Sequence, residues 1–236
     1  MGKPLIIAHR GASGDYPENT LSAFRAAADA GADMCELDVR LSRDGVLAVI
    51  HDETIDRTTD HIGVVAGMTM AELRLADAGI KSGAGFAGER IPALDDVFDA
   101  LADRCGVNIE LKSGELEPRV CELIRRRAAS GSAMVSSFDM AALKNIREID
   151  PAIRVGVLGD KHPGQMIAAA RAIGAWSINP RFDLVTPEIA AAAHGFGLKV
   201  LVWTVDAPEL MRLMTEYGID GIMTNYPGNL RRILDA

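Results

Sequence analysis

The sequence predicts a (β/α)8 TIM barrel on three observations: eight short apolar segments, helical patterns between most of them, and a helix stop ahead of seven of the eight. The segments are residues 4–8, 33–39, 107–111, 133–137, 154–158, 175–179, 199–204 and 219–223, rich in β-branched residues as buried strands are. Between them stand stretches such as Leu21-Ser22-Ala23-Phe24-Arg25-Ala26-Ala27-Ala28 and Pro187-Glu188-Ile189-Ala190-Ala191-Ala192-Ala193, whose apolar spacing suits a helix laid on a sheet. The stops are Gly31, Gly106, Gly131, Pro151, Gly174, Gly197 and Gly218. Glycine accepts the left-handed conformation that ends a helix, and proline cannot continue one.

One stretch breaks the alternation. After Asp38 the chain runs through Asp44-Gly45, a strong two-residue hairpin turn, to His51. In such a hairpin, positions summing to 89 face each other, which sets Asp38 opposite His51 and brings a second histidine back to the barrel mouth. From Glu53 to Pro92 the sequence is rich in Gly and Ala, with one short helical piece at Met70-Ala71-Glu72-Leu73. Residues 40–92 therefore read as an insertion after the second strand, and loops of that length usually serve binding or closure. A helix resumes near Leu94 to Arg104.

At 236 residues and 48% hydrophobic, the chain can fill one barrel, so a single domain spanning 1–236 is expected. The net charge of -8 argues against a nucleic-acid surface, which needs a broad Lys/Arg patch. No apolar run approaches the ~18 residues of a membrane span, and no charged leader with a long apolar stretch opens the chain. Cys35, Cys105 and Cys121 lack metal-like spacing and read as buried free thiols, which fits a reducing, cytoplasmic setting.

A barrel keeps its chemistry at the C-terminal ends of its strands, so residues there are the candidates. Glu36 and Asp38 stand at i and i+2, which on a strand puts both side chains on one face roughly 7 Å apart. Glu110 holds the equivalent place on the next barrel strand. Two carboxylates ~6 Å apart at an effective dielectric of ~20 repel by about 3 kcal/mol, and a divalent cation removes that cost. All-oxygen ligation suits Mg2+ or Ca2+ rather than zinc. The plainer alternative is a charge lattice balanced by Arg10, Arg40 and Lys112.

His9 and His51 titrate in the range useful for general acid and base work. Arg10 can grip a phosphate bidentately, and Lys112 can supply a point charge beside Glu110. Trp203 could wall a substrate carbon chain or simply fill the core. Glu18 and Asn19 stand behind these groups, with Asn19 or Thr20 free to cap the first helix. His61, His162 and His194 fall outside the pattern and read as surface or loop residues.

With His9-Arg10-Gly11, Pro17-Glu18-Asn19-Thr20, Glu36-Leu37-Asp38-Val39, His51-Asp52, Asp56-Arg57-Thr58-Thr59, Glu110-Leu111-Lys112, Ser137-Phe138 and Trp203-Thr204 in this order and spacing, the chain resembles the glycerophosphodiester phosphodiesterase family, within the phospholipase C-like phosphodiesterase superfamily. The resemblance covers essentially the whole chain. It implies a phosphodiesterase whose metal ligands are Glu36, Asp38 and Glu110, whose acid and base are His9 and His51, and whose phosphate contacts are Arg10 and Lys112. Trp203 is similar to the aromatic residue that faces the glycerol. Asn225 departs from the pattern, since many relatives carry Asp there, and the departure is expected to touch only a peripheral hydrogen bond.

The implied reaction releases sn-glycerol 3-phosphate and an alcohol, through attack of the neighbouring glycerol hydroxyl and a cyclic phosphate. Two rivals stand beside it. A lysophospholipase D-type enzyme would use the same core on long-chain lipids but needs an apolar groove, for which the insertion offers only scattered residues such as Met68, Met70 and Phe86. A non-catalytic phosphate-ligand binding protein would have no need of paired histidines.

Overall fold

In the computed structural model, which describes residues 2–102 and 104–236, the alternation closes into a ring. The strands are β1 (Leu5–His9), β2 (Met34–Leu41), β3 (Leu47–Val49), β4 (Gly106–Leu111), β5 (Ala133–Ser137), β6 (Arg154–Gly159), β7 (Ser177–Pro180), β8 (Lys199–Val202) and β9 (Gly221–Thr224). All but β3 run parallel, in the order β1-β9-β8-β7-β6-β5-β4-β2, and pairing of β1 with β2 from Ile7–Met34 to His9–Glu36 closes the barrel. The expected (β/α)8 barrel is thus present, with β3 bonded antiparallel outside the ring.

Helices α1 (Leu21–Asp29), α2 (Met70–Leu73), α3 (Leu94–Leu101), α4 (Glu117–Arg126), α5 (Met140–Ile149), α6 (Pro163–Ala172), α7 (Pro187–His194), α8 (Pro208–Glu216) and α9 (Pro227–Asp235) fill the connections. The last four open on proline, whose fixed φ and missing N–H suit a first helical position. Gly31, Gly174, Gly197 and Gly218 adopt the left-handed conformation ahead of their strands, as predicted. Gly106 does not: it begins β4, where a Cβ would meet the Ser132 carbonyl oxygen at 2.6 Å. The left-handed residues after α3 and α4 are Ala102 and Ala128.

Two apolar layers hold the ring. Outward-facing strand residues such as Ile6, Leu37, Ile109, Val135, Val155, Ile178 and Val200 pack under the helices, while Ile7, Met34, Met134, Leu201 and Met223 plug the barrel below the mouth. A plugged base leaves the strand ends as the open side, which is where the polar residues gather.

The β2–β3 hairpin forms one residue away from the expected register. Arg40 pairs with Ala48 and Leu41 with Leu47, so paired positions sum to 88 and Asp38 meets Ile50, whose N–H donates to the Asp38 carbonyl at 2.9 Å. Asp44-Gly45 is not a two-residue loop. Ser42 and Val46 close three residues, with Gly45 at φ +80 in the third, the bulged turn that costs one extra position. His51 therefore lies just beyond the paired residues.

Beyond the hairpin, residues of the insertion build a core of their own, with Ile50, Ile55, Val65, Met70, Leu73, Ala76 and Ile91 buried together. Thr69 and Glu72 form a reciprocal cap on α2. A tilted contact between the rings of Tyr16 and Phe86, centres 5.5 Å apart, ties the insertion to the loop after β1. Among the described residues no helix is long and apolar enough to cross a membrane.

Candidate active site

Strands β2 and β4 pair with Asp38 beside Glu110 and Glu36 beside Asn108, so alternation aims all three acids into the mouth. One oxygen from each of Glu36, Asp38 and Glu110 lies within 4.8 Å of the others, and all three side chains are buried. Arg10 sits at φ +56 and turns its backbone N–H to Glu36 Oε2 at 2.9 Å. That turn needs Gly11, at φ +82, because a Cβ there would lie 2.7 Å from the Ala23 backbone. Asn19 Nδ2 donates to Asp38 Oδ2 at 2.8 Å, Lys112 Nζ to Glu110 Oε1 at 2.5 Å. Lys112 Nζ and Arg10 Nε also pair with Asp38 at 3.1 and 3.2 Å by charge alone, without hydrogen-bond alignment.

The electrostatics divide the acids. Burial, with Asp38 alongside, pushes Glu36 up to about 8, and burial with Asp38 and Glu36 pushes Glu110 up to about 7. Burial alone would raise Asp38 as well, but Lys112 and Arg10 outweigh it and hold that carboxyl below its usual range. Without further positive charge the trio therefore keeps protons near neutrality. Glu36 Oε1 and Asp38 Oδ1 are buried with no hydrogen-bond partner among the described residues. Hard oxygens, excess negative charge and unpartnered ligand atoms all fit a divalent cation such as Mg2+ or Ca2+.

His9 ends β1, and its Nδ1 lies 2.8 Å from Asn225 Oδ1. Asp206 settles which nitrogen carries the proton. Its Oδ1 accepts from the Asn225 backbone N–H at 2.8 Å and its Oδ2 from Asn225 Nδ2 at 2.6 Å, so the amide oxygen must face His9. Nδ1 is then the donor, and Nε2 keeps its lone pair. Burial and the Arg10 charge lower the His9 pKa, which keeps the ring neutral.

His51 is held differently. Its carbonyl accepts from Arg40 Nε at 2.8 Å, and its Nδ1 lies 2.6 Å from Asp52 Oδ1. Burial lowers its pKa too, opposed by Asp38 and Asp52. Asp52 is locked by Arg57, whose Nε donates to Oδ2 at 2.6 Å and holds that carboxyl well below its usual range. Arg57 also forks onto both oxygens of Glu18 at 2.8 Å, and Glu18 accepts from Arg10 Nη1 at 2.9 Å. A chain of alternating charge thus links the insertion to β1.

His9, Arg10, Glu36, His51, Glu110 and Lys112 line one cavity of about 230 Å³. Its opposite wall is Phe138, Leu158, Trp203 and Met223. Phe138 meets Trp203 edge-on, ring centres 5.8 Å apart, and the indole Nε1 donates to the Asn179 carbonyl at 2.7 Å. One side of the cavity is thus charged and the other apolar.

The profile of the glycerophosphoryl diester phosphodiesterase family matches residues 9–229. The chain belongs to that family. A glycerophosphodiester phosphodiesterase of Caldanaerobacter subterraneus subsp. tengcongensis is 41% identical over 97% of this chain and 96% of its own length. Among solved structures, an Oleispira antarctica phosphodiesterase in complex with the product sn-glycerol-3-phosphate superposes with a TM-score of 0.94 at 28% identity, covering 99% of this chain and 98% of that one. A glycerophosphodiester phosphodiesterase of Agrobacterium tumefaciens gives 0.88 at 33%, covering 97% and 99%.

Within this glycerophosphoryl diester phosphodiesterase framework, the geometry gathers His9, His51, Arg10, Lys112, Glu36, Glu110 and Trp203 around the cavity, with Asp38 clustered against Glu36 and Glu110 and with Glu18 and Asn19 bonded behind Arg10 and Asp38. His61 and His162 stand apart, and His194 pairs with Asp220 at the barrel's other end. The thiols are free, as expected, but Cys35 and Cys105 lie with sulfurs 3.6 Å apart. Sequence reasoning did not name Asp206 and expected Asn225 to touch only a peripheral hydrogen bond, whereas residue 225 bonds directly to His9. Arg57 and Asp52 were visible as motif residues without a role. Their signal is the Asp56-Arg57 pair a short turn after His51-Asp52, close enough for an arginine to fold back.

Proposed function

We propose that this chain hydrolyses glycerophosphodiesters to sn-glycerol 3-phosphate and an alcohol, with a divalent cation on Glu36, Asp38 and Glu110 and with His9 and His51 exchanging protons. The observation that carries the reading is the convergence of two imidazoles and three carboxyls on one cavity that also holds Arg10 and Lys112. Residues 1–236 act as one domain, with the 40–92 excursion supplying His51.

When bound, Mg2+ or Ca2+ would offset the charge of the phosphodiester oxygens and favour ionisation of a nearby hydroxyl. The protein does the rest. Arg10 and Lys112 face the phosphate and stabilise charge that builds on its oxygens. His9, neutral and with Nε2 free, takes the proton from the glycerol hydroxyl next to the ester, and that oxygen attacks phosphorus. His51 acts as the acid: Asp52 on its Nδ1 and the nearby Asp38 offset part of the burial that lowers its pKa, and its imidazolium form donates to the departing alcohol. Water then opens the cyclic phosphate with the two histidines in exchanged roles. The apolar wall of Phe138 and Trp203 receives the carbon chain.

The test is a substrate panel after chelation, with Mg2+ or Ca2+ added back and sn-glycerol 3-phosphate detected enzymatically. Glycerophosphocholine, glycerophosphoethanolamine and glycerophosphoglycerol should each yield it in a metal-dependent way. Turnover of a lysophospholipid in place of these would move the chain to the lipid-acting reading, and binding without turnover to the non-catalytic one.

A further inference from the structure

Two uncharged side chains in the same cavity are left without partners. Asn108 on β4 is wholly buried, yet neither Oδ1 nor Nδ2 has a hydrogen bond among the described residues. Ser136 on β5, 1% exposed, has none at Oγ. Both line the cavity, Asn108 beside Glu36 and Ser136 beside Glu110 in the strand register. Next to Ser136 stands Gly156, where a Cβ would lie 2.6 Å from Ser177 Oγ and 2.9 Å from Asn179 Nδ2, another unpartnered buried atom. A buried amide with both ends unsatisfied is costly, so natural cores pair such groups.

What the pair can bind follows from its chemistry. An amide and a hydroxyl together offer donors and acceptors without charge, which matches a neutral group that both donates and accepts. A phosphate oxygen only accepts and is better served by Arg10, Lys112 and a cation. A hydroxyl has the matching set. Asn108 lies two residues below Glu110 on the same face, level with Glu36 and one layer beneath Asp38 and Glu110. The deep position suits a hydroxyl that takes no part in bond exchange.

Resting on the reading above, we infer that Asn108 and Ser136 bind the non-reacting terminal hydroxyl of the glycerol unit and thereby set the preference for glycerol-bearing diesters. A site built to bond a hydroxyl discriminates strongly against an analogue that lacks it, because its own polar groups are then stranded.

The probe is a pair of diesters with a common leaving alcohol, one of glycerol and one of 1,2-propanediol 1-phosphate, which keeps the hydroxyl next to the ester and lacks only the terminal one. The wild type should favour the glycerol diester in kcat/KM by about 100-fold. Asn108→Ala should bring the ratio within a few-fold of one, mainly through loss on the glycerol diester, and Ser136→Ala should move it the same way by less. Calorimetry of sn-glycerol 3-phosphate against 1,2-propanediol 1-phosphate should show the same preference and its loss. Equal treatment of the two by the wild type, or an equal fall on both in the variants, would mean the pair orders only water, and the inference fails. If the protein turns over neither diester, the proposed function falls, and the binding comparison still decides this inference. If Asn108→Ala does not fold, the wild-type ratio and Ser136→Ala decide it.

Discussion

A histidine serves as a base only while one ring nitrogen keeps its lone pair on the substrate side, and at His9 this depends on a residue 216 positions away. Replacing Asn225 with Leu removes the acceptor for Nδ1–H and frees the ring to rotate or change tautomer. We expect kcat to fall by about 10- to 100-fold with KM little changed, and Asp206→Ala to show a smaller loss of the same kind. Steady-state kinetics with imidazole 15N shifts would check both, and an unchanged kcat in Asn225→Leu would remove the amide from the mechanism. His9→Ala and His51→Ala should each lose about 100- to 10,000-fold with circular dichroism unchanged. The acids and His9 were legible because each sits on a barrel strand beside a short, distinctive neighbourhood, and His51 because it follows the hairpin with Asp52. Asn225 was not, since its importance comes from a contact across the closing seam of the barrel, which adjacency in the chain does not reveal.

The hairpin that carries His51 shows what a short motif leaves open. Asp-Gly predicts a reversal but not whether it takes two residues or three, and one extra residue moves every pairing by a position. Here Gly45 occupies the bulge with φ +80, a conformation that costs a residue with a Cβ. Gly45→Ala should destabilise the protein by about 1 kcal/mol, seen as a lower urea midpoint at an unchanged m-value. Turnover should hold, because Ile50 and Ile55, buried either side of His51, anchor the imidazole independently of the turn. A large loss of activity in this variant would mean that the hairpin tip also shapes the mouth. The barrel strands themselves were readable, for each is a short, mostly apolar and β-branched run between helical stretches. The stops after α3 and α4 were not, because alanines took the left-handed positions that glycine would signal.

At the scale of the molecule, a chain of net charge -8 that buries three carboxyls around its mouth is poorly disposed toward a phosphodiester, and pH exposes the conflict. Glu36 at about 8 and Glu110 at about 7 both lie above their ordinary 4.5. Between pH 4.5 and 8 the folded protein therefore binds more protons than the unfolded chain, so its stability without metal declines as pH rises, by up to about 1.4 kcal/mol per pH unit from Glu110 until about pH 7 and from Glu36 until about pH 8. Asp38, lowered instead, adds stability that is lost only in acid, below its ordinary 3.8. A cation competes with those protons: its affinity should rise with pH across the same window and its binding should release protons on the acid side. Thermal melts of the chelated protein should accordingly show Tm falling from pH 5 to 8, and Mg2+ or Ca2+ should restore it most at pH 8, by the mass-action gain of a ligand that binds only the native state. Glu36→Gln, which cannot ionise, should flatten the metal-free slope and weaken the rescue together. If chelation leaves Tm unchanged at pH 8 while the metal-free slope persists, the acids are balanced by Arg10 and Lys112 alone and the cation has no place among them.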